Sequence, residues 1–296
     1  MIRTIVFLLS LAILIVLPIL LTNSIVKDIK SEKKRLFAFD KEISSREYRV
    51  FALSSFAWLL SLWMFLTYGA LVDTSFLPYP HDVILNLWNL LADKDILADI
   101  LASVRRIFAG FFLAAILGTF LGLLAGSFKV FYAAIIPLNS FIRYIPPTVF
   151  ISLLILWFGI GEEPKIFLIF LGVLFFLIQM VTDATQNVPK EYREVAFTLG
   201  TNHWDVFWKV VVPAAMPDIL LAWRINMSGA WIYLVVAELI ASQEGLGHLI
   251  AISQRYLNTP QLFAGIILIG FIGFLIDLGF EVLMRVLFPW RRSTIH

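Results

Sequence analysis

Seven stretches of the chain are apolar over a length that could cross a membrane as a helix: Ile5–Ile25, Phe51–Leu71, Ile107–Gly126, Ile142–Phe158, Ile166–Thr185, Ile219–Leu239 and Phe263–Leu287. A helix needs about 20 such residues to span the hydrocarbon core. The fourth stretch could begin as early as Ala134; Pro146-Pro147 would then kink or interrupt it, because proline lacks an N–H and crowds the preceding turn. Two shorter patterns lie between the stretches. Residues 81–92 place Val83, Ile84, Leu87, Leu90 and Leu91 on one face, which predicts an amphipathic helix lying in the interface or packed as a lid on the bundle. The turn Pro78-Tyr79-Pro80 sets its start. Residues 187–217 predict two short helices. Pro189 suits the first position of the first helix and Gly200 its stop; Tyr192, Val195, Ala196 and Leu199 form its apolar stripe. Asn202 caps the second, with Asp205 three residues on as a weak capping box. It is expected to run His203–Val211 and end before Pro213.

Composition agrees with a surface solvated by lipid: 60% of the 296 residues are hydrophobic and 15% charged. The charges that exist set an orientation. The segment 27–49 holds Lys27, Lys30, Lys33, Lys34, Arg35, Lys41, Arg46 and Arg49, so it is expected in the cytoplasm. Counting onward, 72–99 falls outside and 127–141 inside, 159–165 outside, 186–217 inside and 240–262 outside. The C-terminus, with Arg285, Arg291 and Arg292, falls inside. The N-terminus is then outside. The first stretch, with Arg3 ahead of its apolar run, could be a cleaved signal, but no A-x-A site follows and the run is long for one.

Several kinds of chemistry are excluded or disfavoured. A net charge of +2 does not suggest a nucleic-acid partner. There is no cysteine for disulfides or thiolate metal sites, and the four histidines are scattered without HExxH spacing. No GxxxxGK[ST] phosphate loop occurs; Gly-Ser-Phe-Lys at 126–129 does not replace one. An intramembrane hydrolase would need a nucleophile and a base at span depth, and there is neither Gly-x-Ser-x-Gly nor a mid-span histidine.

The loop at 187–217 carries the sharpest signal. Taken by periodicity, it could simply join two spans. Its spacing says more: Glu194-Val195-Ala196, three residues, Gly200, nine residues, then Val210-Val211-Val212-Pro213. This resembles the EAA signature of ABC importer permeases, E-A-A, three residues, G, nine residues, I-x-L-P. Valine stands for the first Ala, for Ile and for Leu. From about Phe76 to Trp290 the chain resembles the permeases of nitrate, sulfonate and taurine importers. It does so through Leu77-Pro-Tyr-Pro80, Ser103-Val-Arg-Arg-Ile-Phe-Ala-Gly110, Arg143-Tyr-Ile-Pro-Pro147, Ile155-Leu-Trp-Phe-Gly-Ile-Gly161, Ala230-Trp-Ile-Tyr-Leu-Val-Val-Ala-Glu238 and Gly245-Leu-Gly247.

That resemblance implies an all-α, polytopic transmembrane helix bundle of the type I importer (MetI-like) kind in the inner membrane. Residues 1–50 would add a first span and basic linker to a permease domain over 51–290. It implies a loop that docks a separate ATPase, with Glu194, Ala196, Gly200, Asp205 and Pro213 forming the joint. ATP and Mg would be bound by that partner, and none by this chain. The remaining partners would be a second copy of the chain, a second ATPase and an external solute-binding protein. A stand-alone secondary transporter would have no use for such a loop. The solute implied is a small anion such as taurine, an alkanesulfonate, nitrate or bicarbonate, with a thiamine-precursor pyrimidine as the alternative.

Polar groups inside the spans are candidates for a pathway. Arg143, Pro146 and Pro147 mark the fourth span, where the proline pair frees the carbonyls of Ile142 and Arg143. Asn226, Ser228, Trp231, Tyr233 and Glu238 mark the sixth; helix packing through Gly229 and Ala230 accounts for them equally well. Asp277, Glu281 and Arg285 are spaced for structural i, i+4 pairing. Arg143 and Arg224, placed toward the inner side, would meet headgroups or face an anion's path, and Arg105-Arg106, flanking a span, are read as structural.

Overall fold

The computed structural model describes residues 2–30, 45–93 and 95–290. They form twelve helices among the described residues: α1 (Ile2–Lys30), α2 (Ser45–Tyr68), α3 (Pro80–Ala92), α4 (Asp95–Ser127), α5 (Lys129–Ile142), α6 (Ile151–Phe158), α7 (Glu163–Gln186), α8 (Lys190–Thr198), α9 (His203–Val206), α10 (Val212–Ala241), α11 (Leu246–Arg255) and α12 (Thr259–Leu287). Among them five are long and apolar enough to cross a membrane, and α5 with the segment 147–158 forms a sixth if that bent pair is one span. The expected seventh, in α1, is represented by a shorter apolar helix, Arg3–Pro18. Much of the basic linker at 27–49 lies outside the described residues.

The chain divides into two compact units, Met1–Asn89 with Tyr256–Ala264, and Leu90–Arg255 with Gly265–His296. In the first, α1 packs on α2 through the stacked rings of Phe7 and Phe65, 5.1 Å apart. The Trp63 indole donates to the Pro78 carbonyl at 2.9 Å, holding the turn into α3. Val83 is buried there, whereas Ile84, Leu85 and Trp88 are exposed, so the expected single apolar face of this helix is two faces.

The second unit is built on α4 and α7. Small residues recur every fourth position along α4, at Gly110, Ala114, Gly118, Gly122 and Gly126, and α7 lies directly on that stripe. A Cβ placed on Gly110 would be 2.7 Å from the Ile169 Cβ, on Gly118 3.3 Å from that of Leu177, and on Gly122 2.6 Å from that of Val181. Gly126 abuts Thr185. The constant register makes the two helices parallel, and their close approach is the small-residue packing that membrane helices use in place of a hydrophobic drive. α10 runs the other way: Tyr233 packs on Gly172, and the Asn226 amide meets Met180 Sδ at 3.0 Å.

Parallel α4 and α7 require the intervening chain to return across the full height of the unit. α5 and the segment 147–158 do this with an 80° bend. The break falls at Pro146-Pro147, where a 3-10 turn (Pro147–Phe150) leads into α6. The Ile142 carbonyl is not left free, as it takes the Ile145 N–H at 2.9 Å in a turn.

Gly122→Val would force two β-branched side chains together at this seam. Overpacking of that kind costs about 1–3 kcal/mol. Expected is a lower thermal midpoint in detergent for Gly122→Val, with Gly229→Val, where a Cβ meets nothing within 4 Å, falling much less.

Candidate functional site

One end of the second unit carries the α8–α9 loop. Its first helix starts after Pro189 and closes at Gly200, whose φ is +81°. There the Gly200 N–H donates to Phe197 O at 2.9 Å and the Thr201 N–H to Ala196 O at 3.4 Å. This is a Schellman ending, which needs a left-handed residue after the last helical turn. Asn202 caps the next helix as expected, its Oδ1 accepting the Asp205 N–H at 2.9 Å. In place of the reciprocal backbone bond of a capping box, Asn202 Nδ2 donates to Asp205 Oδ2 at 2.7 Å. Asp205 also pairs with Lys209 at 2.6 Å.

Pro213 does not end the second helix. A π turn, Phe207–Val211, carries α9 without interruption into α10. The wider turn absorbs the missing proline N–H and the crowding of its ring, which an α turn would not.

The predicted apolar stripe of α8 divides. Ala196 turns inward and is buried with Val206 and Val211. Tyr192, Val195 and Leu199 turn outward, and Trp204 and Trp208 are exposed as well. Glu194 is exposed on the same helix. The rings of Trp204 and Phe207 lie 5.4 and 5.6 Å from Phe128, which ties the loop to the end of α4.

The opposite end holds a buried ion cluster. Arg106 in α4 and Glu238 in α10 have no exposed side-chain surface. Arg106 uses all five of its N–H groups. Nε and Nη2 grip Glu162 at 2.6 and 2.8 Å. Nη1 donates to Glu238 Oε1 and to the Glu244 carbonyl, each at 2.8 Å, and Nη2 reaches Glu244 Oε1 at 3.2 Å. Glu238 also accepts the Ser103 hydroxyl at 2.8 Å and the Gly247 N–H at 2.8 Å. Ser103 Oγ in turn accepts the Leu246 N–H at 2.9 Å. Gly245, at φ +115°, leaves no room for a Cβ, which would stand 2.5 Å from Glu238 Oε1. Lys165 pairs with Glu162 at 2.8 Å and Arg105 with it at 3.2 Å.

Three separated phrases of the chain, at 103–110, 230–238 and 245–247, therefore meet at one carboxylate. Glu162 belongs to no motif; its place directly after Gly159-Ile160-Gly161 is the one signal the sequence offers for it. The Arg106 guanidinium holds the Glu162 carboxyl down at about 2. A depressed value contributes stability that is complete above the unfolded value near ~4.3 and is lost as pH falls through about 2. Glu162→Gln should therefore melt below wild type at pH 7. That gap should close between about pH 4 and pH 2; a gap unchanged at low pH would mean the charge is not what holds this end.

The other candidates are distributed around these two ends. Asn226 is buried and donates to Ala222 O at 2.9 Å, and Trp231 is buried against Gly273. Ser228 is exposed, its hydroxyl bonded to Ile225 O at 2.7 Å. Tyr233 packs, as Phe150 does, against the buried cluster of Ile151, Leu154, Leu168 and Ala237 near the broken helix. Arg143, Pro146 and Pro147 are at the break, partly or fully exposed. Arg224 grips Asp277 through two bonds of 2.6 Å, and Arg285 pairs with Glu281; the expected ladder is an interhelical ion set as well as an i, i+4 pair.

Comparison with known proteins matches residues 116–293 to the binding-protein-dependent transport system inner membrane component family. The taurine transport system permease protein TauC of Escherichia coli K12 is 32% identical over 244 residues, 81% of this chain and 89% of its own. The nitrate import permease protein NrtB of Synechocystis is 29% identical over 240 residues, 78% of this chain and 86% of its own. A chain from the inward-facing MetNI methionine ABC transporter has the same fold, with a TM-score of 0.59 at 18% identity, covering 65% of this chain and 95% of its own.

Proposed function

Since the chain belongs to the family of inner-membrane components of binding-protein-dependent transport systems, we propose that it conducts a small anion past its broken helix while the α8–α9 loop docks the ATPase. The protein is the permease subunit of an ABC importer, a multi-pass protein of the inner membrane, and not an enzyme; ATP is hydrolysed on a separate subunit. Its family implies an ATPase and a solute-binding protein as partners. In the proposed assembly two copies of the chain form the pore and two ATPases dock on it.

The observation that carries the docking proposal is the exposure of five large apolar residues in this one loop, Tyr192, Val195, Leu199, Trp204 and Trp208, along with Glu194 and Gly200. Such exposed apolar side chains on a loop between two long helices suit a protein groove, with Glu194 available to a partner's cation. Ala196 contributes by its small size, which lets the loop close on Val206 and Val211. Asp205 and Pro213 set the second helix and its run into α10. The solute is proposed as a sulfonate, taurine, nitrate or bicarbonate, following the relatives. Arg143, Pro146, Pro147, Ser228 and Tyr233 are the proposed pathway side, and Glu238 is proposed to hold the far end of α10 in place.

Co-expression with a cognate ATPase and binding protein tests the reading. Expected is a purified complex with solute-stimulated hydrolysis and ATP-driven uptake; robust uptake by this chain alone in liposomes would refute it. The loop end is proposed to face the cytoplasm and the N-terminus the outside. In the cysteine-free chain, Gln243→Cys should label from outside with an impermeant maleimide and Asn202→Cys only after lysis. The reverse pattern would invert the topology.

A further inference from the structure

The broken span carries a cation at mid-height. Asn139 in α5, only 2% exposed, donates from Nδ2 to the Phe175 carbonyl at 3.1 Å, and Phe175 is at the centre of α7 (Glu163–Gln186). One turn further on, the Arg143 N–H donates to Asn139 O at 3.0 Å and α5 ends. Beyond the break, Ile151 and Leu154 are buried with Leu168 of α7 and Ala237 of α10. The break therefore sits between the levels of Phe175 and Leu168, near the centre of α7 and toward its N-terminal end.

The Arg143 guanidinium is 5.6 Å from the centroid of the Tyr144 ring, and no carboxylate among the described residues pairs with it. The other cations inside the long helices of this unit are paired: Arg105, Arg106 and Lys165 at the ion cluster, Arg224 with Asp277, Arg285 with Glu281. Lys129, Lys190, Arg193 and Arg255 stand at helix ends or in the α8 loop, where water or headgroups reach them. A guanidinium without a counter-charge at mid-bilayer is costly, and lipid tails cannot solvate it. Irregular backbone at that depth is tolerated when it lines a cavity or is covered by protein. An aqueous route past the break meets both conditions.

We infer that Arg143 receives the anionic head of the solute halfway across the membrane, an inference that rests on the importer reading above. The planar fork of N–H groups suits two oxygens on one centre. The chemical class is thus a small oxyanion: a sulfonate, nitrate or carboxylate. The Tyr144 ring, 79% exposed, forms a wall beside it.

Two arms test this in the complete transporter with its ATPase and binding protein. In the first, Arg143→Cys and Tyr144→Cys are treated with the anionic reagent MTSES, which modifies thiols that water reaches. Ile116→Cys, in the apolar groove lined by Leu113, Leu117, Phe120, Phe167 and Phe170, is the lipid-facing control. Expected is modification at 143 and 144 and none at 116, with taurine or nitrate slowing it at 144, where Arg143 is retained. If Arg143→Cys does not fold, Tyr144→Cys alone decides this arm. In the second, Arg143→Gln should lower uptake of labelled taurine or nitrate about 10-fold or more, the scale of one charged hydrogen bond, with assembly retained; Arg143→Lys should fall between. Wild-type anion uptake with Arg143→Gln fully active, or with positions 143 and 144 unreactive, overturns the inference and leaves the importer reading standing. Wild-type uptake of a neutral pyrimidine but of no anion overturns both this inference and the anionic solute. Failure of the wild type to bind any ATPase overturns the importer reading itself.

Discussion

Arg106→Leu is expected to open the end of the bundle where α4, α7, α10 and α11 meet. The substitution removes five donors and leaves the fully buried Glu238 carboxyl without its cation partner. Breaking one side of a buried pair costs about 3–5 kcal/mol, because the stranded charge keeps its desolvation penalty. The thermal midpoint in detergent should fall steeply, and little folded protein should survive extraction. The double variant Arg106→Leu with Glu238→Leu should recover part of the loss, since it removes the stranded carboxylate. Arg106→Lys should fall between, because an ammonium cannot grip Glu162 through two parallel bonds. Should Arg106→Leu melt with the wild type, the cluster would be ornamental and the α10–α11 corner would be held by packing alone.

Five of the seven expected spans, α3 as a helix and the two short helices of the loop were readable from periodicity, because a lipid-facing or half-buried helix imposes a strong and simple pattern. Gly200 was readable as a helix stop, and Asn202 as a cap, since both are local backbone requirements. The ion cluster was not readable from spacing. Arg106 and Glu238 are 132 residues apart, and a buried arginine looks the same in sequence as one that snorkels. The glycine stripe was present as a small residue at every fourth position of α4, but composition alone does not say which helix comes close. Pro213 misled because proline is usually a stop. The π turn ahead of it is a tertiary compromise that keeps α9 and α10 in one line. Ala196 fell on the predicted stripe, but the sharp closure at Gly200 folds the loop back so that this one position faces inward while its neighbours face out.

Gly200→Val is expected to abolish transport while the permease still inserts and folds. At φ +81° a β-branched residue is strained by roughly 1–3 kcal/mol, and the Schellman ending that closes α8 on Ala196 would reopen. Inside the free chain a Cβ at position 200 meets nothing within 4 Å. Any further loss must then come from outside the chain, from a partner that lies against this turn. Gly200→Asn separates the two causes, because asparagine adopts the left-handed region with little penalty yet still fills the open space. If Asn supports full uptake, the glycine is needed only for the bend. If Asn folds like wild type but loses both ATPase co-purification and uptake, close approach of the ATPase is what the position serves. Glu194→Ala should weaken association less, since an exposed interfacial charge acts mainly on encounter and register. Wild-type uptake and subunit association in Gly200→Val would remove the coupling role from this loop.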